Sequence, residues 1–144
     1  MEFLYEAFVL AYLTRGGNRF CTPQYGIKTE DGKEDWRCPD FVALDFEKRQ
    51  IILAEVTSAW NIGTMAKKVV EMQNQGVPKL RQQMADKIQA AIPELSKWET
   101  KIQLFVREDR KPDLEKQLEG KLDKKAFEII TLEETFRRWK WDVA

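Results

Sequence analysis

The sequence predicts an αβ sandwich, a central mixed β-sheet flanked by helices. Three observations carry this. Helix-forming and strand-forming segments alternate along the whole chain. Residues 40–46 and 50–57 are two β-rich runs that meet at the charged tetrad Glu47, Lys48, Arg49 and Gln50, the pattern of an antiparallel hairpin. Residues 61–92 carry Ile62, Met65, Val69, Val77, Leu80, Met84, Ile88 and Ile92 at helical spacing.

Taken in order, residues 2–14 are strong helix formers and almost all apolar, so this helix should be buried around most of its circumference. Gly16 and Gly17 end it. Residues 20–29 read as an extended segment interrupted by Pro23 and Gly26, and residues 30–35 as a polar loop. The hairpin follows, then the long helix. Gly76 and Pro78 lie inside that helix and predict a kink or break near Gly76. Gln73 stands where its apolar stripe calls for a core residue. A strand at 101–106, a helix at 112–118, a strand at 127–131 and a helix at 132–139 complete the order α-β-β-β-α-β-α-β-α. With 144 residues, 43% of them hydrophobic, the chain supports one core and reads as a single domain over 1–144.

Composition removes whole classes of chemistry. There is no histidine, which excludes Ser-His-Asp and Cys-His triads, histidine-metal sites and a histidine general base. Cys21 and Cys38 are too few for a disulfide framework or a zinc site, and both read as ordinary buried thiols. Carboxylates, lysines, hydroxyls and an oxygen-held metal remain. The apolar amino terminus is broken by Glu6 and Arg15 and lacks a signal's basic region and cleavage site, so a soluble cytoplasmic protein is expected. Net charge is zero, from 24 basic and 24 acidic residues, but an acidic stretch over 28–55 precedes a basic one over 61–91.

The hairpin gathers the candidate chemistry. Pairing Phe46 with Ile51 puts Val42 opposite Glu55 and Asp40 opposite Thr57, so Asp40, Glu55 and Thr57 share one face with Val42, Leu44 and Leu53. The other face carries Phe41, Ala43, Ile52, Ala54 and Val56, so the sheet should be covered on both sides. Two carboxylates on an apolar surface are costly to bury unpaired, and a cation offsets that cost. Magnesium suits such a site, because it takes one or two carboxylates plus water and substrate phosphate. The plainer reading makes Asp40 a turn residue at a strand start and pairs Glu55 with Lys67 or Lys68.

Pro39-Asp40, a hairpin, Glu55-Val56-Thr57 and then a long helix resemble the core of the PD-(D/E)xK nuclease superfamily, which includes many restriction endonucleases, junction resolvases and phage or repair nucleases. The order of elements over residues 2–106, about two-thirds of the chain, is similar to that family's α-β-β-β-α-β core. The resemblance implies a restriction-endonuclease-like fold and a DNA nuclease dependent on Mg2+, for which Mn2+ substitutes. It implies Asp40 and Glu55 as metal ligands, joined by Glu6, the only charged residue between Phe3 and Thr14. A helix-dipole role explains Glu6 equally well.

The chain departs from the motif at Thr57, which stands where the family carries lysine; its hydroxyl can orient water but brings no positive charge. Lys67 and Lys68, early in the next helix, are the nearest replacements, and Gln73 is a candidate for the site's edge. Lys67, Lys68, Lys79, Arg81 and Lys87, with Gln73 interleaved, form a stripe suited to phosphate contacts or to plain solvation. Arg137, Arg138, Trp139, Lys140 and Trp141 could stack on bases, although Phe136 and Trp139 are expected in the core. Two functions compete: a DNA-hydrolysing metalloenzyme, and a non-catalytic module of the same fold that binds nucleic acid or a protein partner, including a second copy of itself.

Overall fold

The computed structural model describes residues 2–27, 39–88 and 90–141. The predicted loop at 30–35, the far end of the extended segment and Cys38 lie outside them. The described elements are α1 (Glu2–Thr14), β1 (Arg19–Pro23), β2 (Phe41–Asp45), β3 (Gln50–Val56), α2 (Gly63–Glu71), α3 (Val77–Ile88), β4 (Glu99–Val106), α4 (Lys111–Leu118), β5 (Phe127–Thr131) and α5 (Leu132–Trp141).

The five strands form one mixed sheet in the order β1-β2-β3-β4-β5. β1, β2 and β3 are antiparallel neighbours, whereas β3, β4 and β5 run parallel. Parallel neighbours need a crossover, and both crossovers lie on one face. There Met65, Val69, Leu80 and Met84 of α2 and α3, with Leu114 and Leu118 of α4, bury Val42, Ile51, Leu53, Ile102 and Leu104. On the other face Val9 and Leu13 of α1 and Leu132 of α5 cover Phe41, Ala43, Ile52, Ala54, Val56 and Phe105. The α/β architecture and the sheet covered on both sides are therefore as the sequence predicts.

The expected kink at Gly76 is a π-helical turn, Met72–Gly76, between α2 and α3. Pro78 has no N–H to give the carbonyl four residues back, and the Val77 amide donates instead to Met72 O, five residues back. The wider turn explains why Gln73 breaks the stripe. The core positions run Val69, Met72, Val77, Leu80, so Met72 takes the buried place and Gln73 is half-buried. The helical segment also begins later than expected, at Gly63, because the Asn61 side chain accepts the Gly63 amide. It ends at Ile88 rather than Ile92.

The hairpin register corrects the expectation. Leu44 pairs with Ile51, Val42 with Leu53 and Phe41 with Ala54, two residues displaced from the predicted pairing. The turn is Phe46 to Arg49, because Asp45 Oδ1 accepts the amides of Glu47 and Lys48 and Arg49 adopts a left-handed φ of 55°. Asp45 is itself buried and held by Arg19 Nε at 2.9 Å. Burial alone would raise its pKa, but the Lys48 amide, Arg19 and the Glu47 amide outweigh it and hold the carboxyl below its ordinary value. A two-residue slip keeps every side chain on its predicted face. Two other side chains differ from expectation. Phe136 is 54% exposed, resting edge-on against Phe8, and Cys21 is a half-buried thiol pushed up to about 11 by burial, against the pull of Arg19.

Candidate metal and catalytic site

Continuing the observed register one step past Phe41↔Ala54 places Asp40 opposite Glu55, where the predicted register placed Thr57. Asp40 closes the strand end by accepting the Val56 amide on Oδ2 at 2.8 Å. Glu55 is 3% exposed on the face covered by α2. One turn and a half into that helix, Lys68 reaches back over the sheet and donates from Nζ to Glu55 Oε2 at 2.9 Å. The chain thus carries a cation on the Glu55 carboxylate from the helix instead of from position 57.

Glu55 is an unusual acid. Burial, then the negative charge of Asp40, push its pKa up to about 8, against the pull of Lys68. A hydrogen bond with Asp40 raises it further, and only a protonated carboxyl can donate one. Glu55 Oε1 is buried and no donor reaches it. A proton shared with Asp40 or a cation between the two carboxyls would satisfy it. A hard divalent ion fits this donor set, since magnesium requires only one or two carboxylates and keeps its waters for the rest. Among the described residues no group of three or more acidic or thiol side chains is placed to hold a metal, so the site is a carboxylate pair.

The other candidates lie elsewhere or are engaged. Glu6 is half-buried on α1, which packs on the opposite face of the sheet. Thr57 shares the Glu55 face by alternation, but its hydroxyl accepts the Ala59 amide and its amide donates to Phe105 O. Lys67 is exposed and lines a groove of about 820 Å3 between α2 and α4, with Gln117 and Lys121. Gln73 and Lys79 are half-buried along the helical segment. Arg81 is a structural tie, donating to the carbonyls of Trp98 and Ser96 and to Thr100 Oγ1 at 2.7–2.8 Å. The predicted stripe is therefore divided: Lys68 turns to Glu55, Arg81 to the start of β4 and the turn before it, and Lys67 and Lys87 to solvent.

Three residues escaped the sequence reading. Trp60 leaves the end of β3, and Arg107 and Arg110 leave the end of β4, with the Arg110 guanidinium carbon 4.2 Å from the Trp60 ring centre. Their signal was position, at the carboxyl ends of neighbouring parallel strands, where αβ sheets place ligands. That β4 lies beside β3 is a tertiary fact. No helix among the described residues is long and apolar enough to cross a membrane. Comparison of the chain with protein-family models finds no match, and comparison with curated proteins finds none.

Proposed function

We propose that this chain is a Mg2+-dependent nuclease of the restriction-endonuclease-like type that hydrolyses phosphodiester bonds in DNA. One observation carries the reading: two carboxyls, Asp40 and Glu55, are held together at a buried strand end with a lysine on one side and an unsatisfied carboxylate oxygen on the other. The large majority of buried side-chain polar atoms are hydrogen-bonded, so an oxygen left open beside a second carboxyl supports a bound ion there.

Each residue then has a separate task. Asp40 and Glu55 would hold the ion, Asp40 being fixed by the Val56 amide and Glu55 by Lys68. A bound divalent ion supplies a lowered pKa for attacking water and neutralises charge on the phosphate. Lys68 Nζ would compensate the Glu55 charge once the proton leaves, and it would be the ammonium that stabilises a phosphate oxygen. Thr57 keeps the strand exit closed by its two hydrogen bonds.

The test is cleavage of supercoiled plasmid and of branched and linear DNA in Mg2+ or Mn2+. The wild type should cut in either metal and not in EDTA. Asp40→Ala should abolish cutting while far-UV circular dichroism stays unchanged. A wild type that binds DNA or a protein but cuts nothing in either metal would leave the non-catalytic module as the surviving reading.

A further inference from the structure

β3 and β4 run parallel and side by side, so the segments leaving their carboxyl ends meet. The β3 exit brings Trp60, and the β4 exit brings Arg107 and Arg110. Trp60 is 63% exposed, the most solvent-facing large hydrophobic side chain after Phe20 among the described residues. An indole left this open forgoes a large apolar burial. Its position is nonetheless fixed, because Arg110 lies 4.2 Å and Arg107 5.6 Å from the ring centre. Arg110 is in turn pinned by Asp113, its side chain is only 15% exposed, and its Nε is buried without a hydrogen-bond partner. A guanidinium over an aromatic ring occupies one face. With both guanidinium groups in place, most of the indole surface is still open to solvent.

The charges around the indole nearly cancel. Arg107 pairs with Asp109 at 2.6 Å and Arg110 with Asp113. What this ledge offers is therefore a rigid aromatic plane more than a phosphate-attracting field. It stands five residues after Glu55, a reach of at most about 18 Å of extended chain.

We infer that Trp60, backed by Arg110, is a stacking ledge for an unpaired base of the substrate, so that the nucleic acid engaged at Asp40 and Glu55 has single-stranded character beside the scissile bond. The inference rests on the nuclease reading and specifies its substrate. An aromatic side chain stacks on any base whose π-face is free. Bases inside an intact duplex have both faces occupied by their neighbours.

The experiment uses the full chain in EDTA, so that binding is measured without cleavage. The probes are a fluorescein-labelled oligo(dT) of about 20 nucleotides and a blunt duplex of the same length. Trp60→Ala should weaken single-strand binding about tenfold, the loss that one stacked base corresponds to, and change duplex binding less than about twofold. Trp60→Phe should recover most of the affinity. Single-strand addition should also quench an indole signal in the wild type that is missing in Trp60→Phe, a readout available even if Trp60→Ala folds poorly. Equal weakening of both DNA forms, or no change in single-strand binding, would overturn the ledge. A chain that cleaves DNA in Mg2+ yet fails these tests loses the ledge alone. A chain that neither binds nor cleaves DNA loses the nuclease reading, and the ledge with it.

Discussion

Replacing Glu55 by glutamine should change the pH dependence of stability in a direction the structure specifies. The folded carboxyl titrates near 8, against an ordinary value of 4.5, mainly because it is buried and secondly because Asp40 is beside it. Below 4.5 both folded and unfolded chains hold the proton, and the contribution of the neutral acid to stability is fully present. Between 4.5 and about 8 the folded chain keeps a proton that the unfolded chain has released, so stability falls as pH rises. Above about 8 the loss is complete. At about 1.4 kcal/mol per pH unit, that interval sets a loss on the order of 3–5 kcal/mol. Glu55→Gln cannot ionise and keeps the side chain's shape. Its stability relative to wild type, from urea unfolding in EDTA at pH 5, 7 and 9, should therefore rise by several kcal/mol across the range. Adding Mg2+ at pH 9 should restore the wild type and not the variant, by about 2.7 kcal/mol at a hundredfold excess over Kd. A difference between the two proteins that stays flat within about 0.5 kcal/mol from pH 5 to 9 would refute the assignment of Glu55 as a buried acid held neutral in the metal-free fold.

Three further outcomes follow from the same geometry. Lys68→Met should abolish metal-dependent DNA cleavage with the fold retained, whereas Lys67→Met should leave the rate within about threefold, a factor worth less than ~1 kcal/mol; equal losses would argue for a diffuse basic face instead of one positioned ammonium. Arg81→Ala should cost about 2–3 kcal/mol in urea unfolding, since a half-buried guanidinium gives up three hydrogen bonds, while DNA affinity measured below the transition should stay within about twofold. Asp45→Ala should cost about 2 kcal/mol by removing the acceptor for two turn amides and the partner of Arg19, and Asp45→Asn should recover part of that loss through the turn alone.

Local chemistry made much of this protein legible from its sequence. Helix α1 over Glu2–Thr14 and strand β5 over Phe127–Thr131 fall where residue type and glycine punctuation put them. The two hairpin faces follow from alternation, and alternation survives a two-residue slip, which is why Asp40 and Glu55 share a face in both the predicted and the observed register. The slip itself was set by Asp45, whose role depends on Arg19 from a strand 26 residues earlier. Pro78 announced a break, but its form as a π-turn, with Met72 replacing Gln73 in the core, depended on which helical face met the sheet.

The sequence by itself bounded which chemistry was available: with no histidine, carboxylates, lysines, hydroxyls and an oxygen-held ion remained, and one of the carboxylates lay inside an apolar strand. Tertiary structure alone decided which lysine reaches Glu55. Lys67 and Lys68 are equivalent neighbours in sequence, yet a helix turns about 100° per residue, and only the docking of α2 through Met65, Ala66 and Val69 points Lys68 at Glu55 and leaves Lys67 in solvent. The same docking made Glu55 a raised acid, because burial and proximity are properties of the packed sheet and not of the residue.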